Sequence, residues 1–300
     1  MNKLGFIRII ILVLFAFLVT ACSNTASPIT VTDGLGQQVS LATPAKRIIS
    51  LAPSNTEILY AIGAGEQVVG RDDFSDYPKE AQQVKSVGGN PYNMEEIVAL
   101  KPDLVLLAEI NTPELASQLK SLGITVYYLK NPTDFSGLYQ NIETVGQLSG
   151  RTQQAKELTA SLSKRVDAVT TKLTPVNDKP VVYYELDASD PAKPWTAGPG
   201  TFIDMLLTQA KAQNFTVVSG VTDPYPQISI EQIVKVDPDV IILGDAAWGV
   251  TVESVGQRPG WQTLNAVTNN AVVPFDDNLV SRPGPRLVDA LEQLAALLHP

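Results

Sequence analysis

Three hundred residues, 44% hydrophobic and 18% charged, suffice to bury one large core or two modest ones. Thirty-one acids against 22 bases leave a formal charge of −9, which argues against the basic face of a nucleic-acid binder. One Cys excludes an internal disulfide, and one His makes a multi-histidine metal site impossible.

The chain begins with Lys3 and Arg8 and runs into an apolar stretch from Ile9 to Val19. A basic start, a short apolar run and small residues after it describe a secretory signal over residues 1–21. The run falls short of the roughly 20 apolar residues that a membrane span needs. The single Cys follows directly, in Val19-Thr20-Ala21-Cys22, and resembles the lipobox of bacterial lipoproteins. That resemblance implies that the Cys22 thiol is acylated and holds the chain on the outer face of a membrane or in a periplasm. The alternative is a buried Cys after an ordinary signal. Removing residues 1–21 takes away two bases and no acids, so the mature balance is 22 − 2 − 31 = −11. Residues 22–40 then comprise the acylated Cys, a polar tether and the start of a hairpin, alternating around Asp33-Gly34.

A short strand at Arg47–Leu51 leads into Pro53-Ser54-Asn55-Thr56-Glu57, where Ser54 and Glu57 read as a capping box for a helix to about Ile62. Strands are expected next at Val68-Val69, Leu104–Leu107, Val126–Leu129, Val181–Glu185, Val240–Leu243 and Val272–Phe275, with helical patterns between them. Such alternation predicts an α/β fold with parallel sheets covered on both faces. From Asp134 to Leu173 no Pro interrupts a helix-compatible run, with Gly150 as its weak point. As one helix it would span roughly 55–60 Å at 1.5 Å per residue. The expected organisation is an N-terminal lobe over 41–133, a connecting helix over 134–173 and a C-terminal lobe over 174–300. An internal repeat agrees: residues 94–108 and 230–244 share Glu95/Glu231, Ile97/Ile233, Val98/Val234, Pro102/Pro238, Asp103/Asp239 and Leu107/Leu243. Two related lobes imply a cleft between them, where small ligands usually bind.

Ser50–Leu59, Ser75–Pro78, Glu96–Val105, Trp195–Phe202 and Ser281–Arg286 resemble the substrate-binding proteins of ABC importers for large iron or cobalt chelates. The resemblance runs in order from about residue 30 to 299 and is strongest to the vitamin B12-binding branch. It implies two Rossmann-like lobes joined by one long rigid helix, and a monomer that hands a small-molecule cargo to permease subunits. The implied cargo is cobalamin or a related corrinoid; the alternative is a ferric siderophore or haem. No cofactor, metal site or nucleic-acid partner is expected.

Cleft candidates lie in loops after strand ends: Phe74, Tyr77, Asn90, Tyr92 and Glu109 in the first lobe, and Trp195, Thr196, Trp248, Asn278 and Arg282 in the second. A corrin is broad, largely flat and edged with amides, so aromatic faces and a few polar groups suit it. For each aromatic, lobe packing or a surface stack is the competing role. Where the B12-binding pattern has a tryptophan before the acidic helix, this chain has Gly88-Gly-Asn-Pro-Tyr92. Arg282 suits an anionic chelate better than a neutral corrin, unless it packs at the Pro283-Gly-Pro285 turn. Glu95 and Glu231 open their helices, where a carboxylate favours the helix dipole. The resemblance adds that such glutamates pair with permease arginines. Trp261 reads as core or wall, and His299 as a packing residue. Enzyme chemistry is poorly represented: Gly198-Pro-Gly200 lacks both the Lys-Ser/Thr of a phosphate loop and the dinucleotide spacing, and no Ser has a nearby His in sequence.

Overall fold

The computed structural model describes residues 27–300; Cys22 and the expected signal lie outside them. An antiparallel hairpin opens the described chain, β1 (Ile29–Thr32) with β2 (Gln38–Leu41). Its turn is closed by Asp33, whose Oδ1 accepts from the amides of Leu35 and Gln37.

The first lobe runs β3 (Ile48–Ser50), α1 (Pro53–Ala61), β4 (Val68–Arg71), α2 (Met94–Ala99), β5 (Leu104–Ala108), α3 (Pro113–Ser121), β6 (Val126–Leu129) and α4 (Phe135–Ser149). Its four strands are parallel in the order β4-β3-β5-β6. Then α5 (Thr152–Leu173) leads to the second lobe. That lobe runs β7 (Val181–Asp187), β8 (Trp195–Thr196), α6 (Phe202–Gln209), β9 (Gln213–Asn214), α7 (Phe215–Ser219), α8 (Ile230–Val236), β10 (Val240–Leu243), α9 (Val252–Gly256), α10 (Asn265–Thr268), β11 (Val272–Pro274), α11 (Asp277–Val280) and α12 (Leu287–Leu298).

Setting aside the antiparallel insertion β8, the second sheet reads β9-β7-β10-β11, all parallel. Both lobes therefore place their second strand outside the first, and their third and fourth on its other side. The repeat is structural as well as sequential. In each copy a left-handed residue, Lys101 at φ 48° or Asp237 at φ 53°, precedes the Pro-Asp pair. The Asp that follows accepts backbone amides at the start of the lobe's first strand: Asp103 from Lys46 and Arg47, Asp239 from Val181.

The continuous helix expected over 134–173 is two helices. Gly150 adopts φ 71° and caps α4, a left-handed geometry that glycine enters at low cost. The chain then folds back, with α4 packed along α5 and Thr159 of α5 donating to Glu143 of α4. The bridging element is α5 alone, about 33 Å long at 1.5 Å per residue. It also packs on α12, where Arg165 pairs with Asp289 and Glu292. One hydrophobic cluster follows this route through both lobes, from Ile48 and Leu106 through Leu162 and Val169 to Ile242 and Leu291. Smaller clusters cover the other sheet faces, around Val105 in the first lobe and around Tyr183 and Trp261 in the second. Trp261 is fully buried there, as its core reading expects, and the His299 ring bonds the Ala210 carbonyl group.

The capping box expected at Ser54 and Glu57 is absent. Helix α1 starts on Ala52 without a side-chain cap, Pro53 occupies its first turn, and Glu57 is buried in another role. Proline presets the helical φ there, and its missing N–H would have been unpaired in any case.

Candidate functional site

The loops after the C-terminal strand ends of the two sheets face one another. Gly284 approaches the Ser54 carbonyl group, Pro283 lines a small crevice together with Asn55 and Ala108, and Arg282 and Arg286 reach first-lobe carboxylates. Parallel α/β sheets bind ligands at this end, where neighbouring connections leave in opposite directions.

On the first-lobe side a cavity of ≈ 430 Å³ opens between the loops that follow β3, β4 and β5. Phe74, Asn90, Tyr92, Met94, Ile110 and Leu115 are among the residues that line it. Its polar frame is fixed by packing and hydrogen bonds. Asn111 is buried, with Nδ2 donating to the Leu51 carbonyl oxygen at 3.0 Å and to Tyr92 Oη at 2.8 Å. Asn111 Oδ1 accepts the Ala108 amide at 2.9 Å. The Tyr92 hydroxyl donates to the same Leu51 carbonyl at 3.2 Å, and burial, assisted by the nearby Asp72 charge, pushes its pKa up to about 12. Asp72, also buried, accepts the Phe74 amide at 2.7 Å and the Ser75 hydroxyl at 2.5 Å. That turn directs the chain so that Phe74 stays 65% exposed on the cavity wall.

The second-lobe side offers exposed aromatic faces. Trp248 is 86% exposed on the 3₁₀ turn after β10, and Trp195 is 42% exposed in β8. Tyr225 is also exposed; burial of its hydroxyl and the charge of Glu109 from the opposite lobe both raise its pKa. Behind these faces Glu185 and Arg258 form a buried bidentate pair at 2.5 and 2.8 Å, with the Arg258 guanidinium 4.7 Å from the Trp261 ring centroid. Asp245 is buried beside them and accepts the Ala188 amide at 2.9 Å. Burial, and secondarily the Glu185 charge, push its pKa up to about 6.

An ionic seam joins the lobes. Arg286 grips Glu57 with Nε at 2.8 Å and a terminal nitrogen at 2.5 Å, and its guanidinium lies 4.0 Å from the Tyr77 ring centroid. Arg282 donates to Asp76 at 2.5 Å and sits 3.6 Å from Glu57.

Of the ten cleft candidates, Phe74, Asn90 and Tyr92 line the cavity, and Glu109 is exposed beside lining Ile110. Trp195 and Trp248 stand exposed at the second lobe's strand ends. The others take different positions. Thr196 is fully buried and donates to the Tyr184 carbonyl oxygen, because its strand position turns it into the sheet. Asn278 is exposed and bonds Asp276 two residues away. Tyr77 stacks on Arg286, and Arg282 is engaged by Asp76. Sequence reasoning missed Met94, Ile110, Asn111, Leu115 and Tyr225, as well as the Glu57–Arg286 pair. Ile110 and Asn111 carried a signal, being loop residues directly after β5; the partnership of Glu57 with Arg286, 229 positions apart, carried none. Glu95 and Glu231 are exposed in the first turns of α2 and α8. Both helices carry side-chain caps: Asn93 accepts the Glu96 amide, and Ser229 with Gln232 forms a full capping box. No three His, Cys, Asp or Glu among the described residues are placed to hold a metal ion, and no described helix is long and apolar enough to cross a membrane.

The periplasmic binding protein family matches residues 48–279, most of the chain and nearly all of both lobes. The protein belongs to that family. A Bacillus subtilis relative, named an uncharacterized ABC transporter substrate-binding lipoprotein (YvrC), is 33% identical over 96% of this chain and 95% of its own. The crystal structure of the periplasmic vitamin B12-binding protein BtuF of Vibrio cholerae superposes with a TM-score of 0.73 at 31% identity, over 85% of this chain and 97% of that one. A possible iron-binding periplasmic solute-binding protein from Staphylococcus epidermidis superposes at 0.74 with 33% identity, over 86% of this chain and all of that one. The protein is thus an ABC-type substrate-binding protein of the B12 and iron-chelate class, with two lobes bridged by a long helix, and not an enzyme.

Proposed function

We propose that this binding protein captures cobalamin or a related corrinoid and delivers it to the permease of an ABC importer. The observation that carries the reading is the set of exposed apolar faces at the facing strand ends. Phe74 and Ile110 come from one lobe and Trp195 and Trp248 from the other, beside a cavity framed by fixed amide and hydroxyl groups. A bulky, flat, amide-edged guest matches that combination. The similarity to a vitamin B12-binding protein supports it. A ferric siderophore or haem is the competing cargo, and its best pointer in the sequence was Arg282. That side chain is committed to Asp76, which weakens the pointer.

Glu95 and Glu231 are proposed as the permease-docking pair: matched, exposed and free of any role in the cavity. Carboxylate–arginine contacts fix geometry as well as charge. Acylation of Cys22, supported by the lipoprotein name of the Bacillus relative, would anchor the protein to the membrane outside the cytoplasm.

Calorimetric titration of the mature protein with cyanocobalamin, haem and ferric chelates tests the cargo. Tight, saturable cyanocobalamin binding is the expected result; binding of haem or a ferric chelate with none of cyanocobalamin overturns the reading. In reconstituted vesicles, Glu95→Ala with Glu231→Ala is expected to abolish uptake while leaving cargo affinity unchanged.

A further inference from the structure

The second lobe sends two arginines across the seam, and two first-lobe carboxylates receive them: Glu57 holds Arg286 and lies 3.6 Å from Arg282, and Asp76 holds Arg282 by a direct hydrogen bond. The two carboxylates differ in kind. Glu57 is nearly fully buried and grips Arg286 with both oxygens, as a fixed part of the lobe contact. The Asp76 side chain is 56% exposed, and its hydrogen bond to Arg282 is made from a surface loop. That loop also carries Phe74, two residues earlier, on the cavity wall.

We infer that Asp76 sets the charge selectivity of the cleft: by occupying Arg282 it makes the site favour an uncharged or cationic chelate over one bearing carboxylates or catecholates. This rests on the reading that the cleft holds a bulky chelate.

The argument is one of exchange. An anionic guest that reached Arg282 would have to displace Asp76, trading one charge-assisted hydrogen bond for another of the same kind. The released carboxylate would then lie beside the guest as a like charge, a repulsive element that discriminates without any attractive contact of its own. Exposed Asp73 and Glu109 on the same lobe, and the overall charge of −9, add to the field against polyanions. A neutral guest disturbs none of this.

The test compares chelates of different charge on wild type, Asp76→Ala and Asp76→Ala/Arg282→Ala. The probes are cyanocobalamin, a neutral ferric tris-hydroxamate and a trianionic ferric tris-catecholate. Asp76→Ala is expected to bind the catecholate about tenfold or more tightly than wild type, the scale of one freed charge-assisted contact, with neutral probes within about threefold. The double variant is expected to lose that gain. Circular dichroism and retained binding of a neutral probe establish that the variants are folded. An unchanged ratio of anionic to neutral affinity in folded Asp76→Ala overturns the inference, as does a gain that survives Arg282→Ala. Failure of wild type to bind cyanocobalamin overturns the corrinoid reading separately, because the charge ratio is still read on the two ferric chelates.

Discussion

The two lobes share one strand order and one helix–Pro-Asp–strand repeat, yet they meet the cleft in opposite ways. The first is concave, with a cavity framed by Asn111, Tyr92 and Asp72. The second buries its polar groups behind projecting tryptophans. The divergence is visible at the matched ends of β5 and β10, where Ala108-Glu109 corresponds to Gly244-Asp245. A Cβ on Gly244 would lie 2.7 Å from the Tyr184 ring and 2.9 Å from the Glu185 carbonyl oxygen. Only glycine lets the chain hug β7 so closely, and the next residue, Asp245, is thereby drawn inward onto the Ala188 amide, whereas Glu109 stays in solvent. A duplicated scaffold can thus supply a shaped wall on one side and an aromatic platform on the other through local changes at strand ends.

The sharpest way to break that contrast is to empty the second lobe's buried pair. Glu185→Ala strands the Arg258 charge in the core and is expected to cost about 3–5 kcal/mol, measured by chemical denaturation. A cost below about 1 kcal/mol would mean that the pair is solvated in solution. Next comes the seam: Arg286→Ala leaves buried Glu57 without its bidentate partner, and a loss of about 1.5–3 kcal/mol is expected.

A smaller effect is read against pH. The folded chain keeps the Asp245 proton up to about pH 6. The unfolded chain releases it near pH 4, so the folded state binds more protons in between. Stability is therefore expected to fall as pH rises from about 4 to 6 and then to level off, and Asp245→Asn is expected to flatten that slope. The smallest effect on stability should come from Trp248→Ala, within about 0.5 kcal/mol because the ring is exposed. The same change is expected to weaken cargo binding about tenfold, the scale of a modest aromatic anchor. Equal affinity in the variant would remove the platform role from the second lobe.

Much of the architecture was legible because it rests on local pattern. The strands, the hairpin at Asp33, the repeat and the two lobes follow from period and spacing, and so does the exposure of Glu95 and Glu231 in first turns. The break at Gly150 was marked by composition, but a glycine in a helical run specifies no fold-back until Glu143 finds Thr159. Phe74, Asn90 and Tyr92 reach the cavity wall because they sit in loops that follow strand ends. Thr196 and Asn278 also lie in cleft-side segments, and only the direction of the side chain sets them apart from the wall.

The sequence by itself determined the repeating α/β units, their order and the class of protein they build, since burial periodicity, turn residues and motifs are local properties of the chain. Tertiary structure alone decided which charges meet. Glu57 met Arg286 and Asp76 met Arg282, 229 and 206 positions away, where two lobes close on one another. Coulombic and hydrogen-bond partnerships depend on distance in space rather than along the chain, so the polarity of the cleft emerged only from the fold.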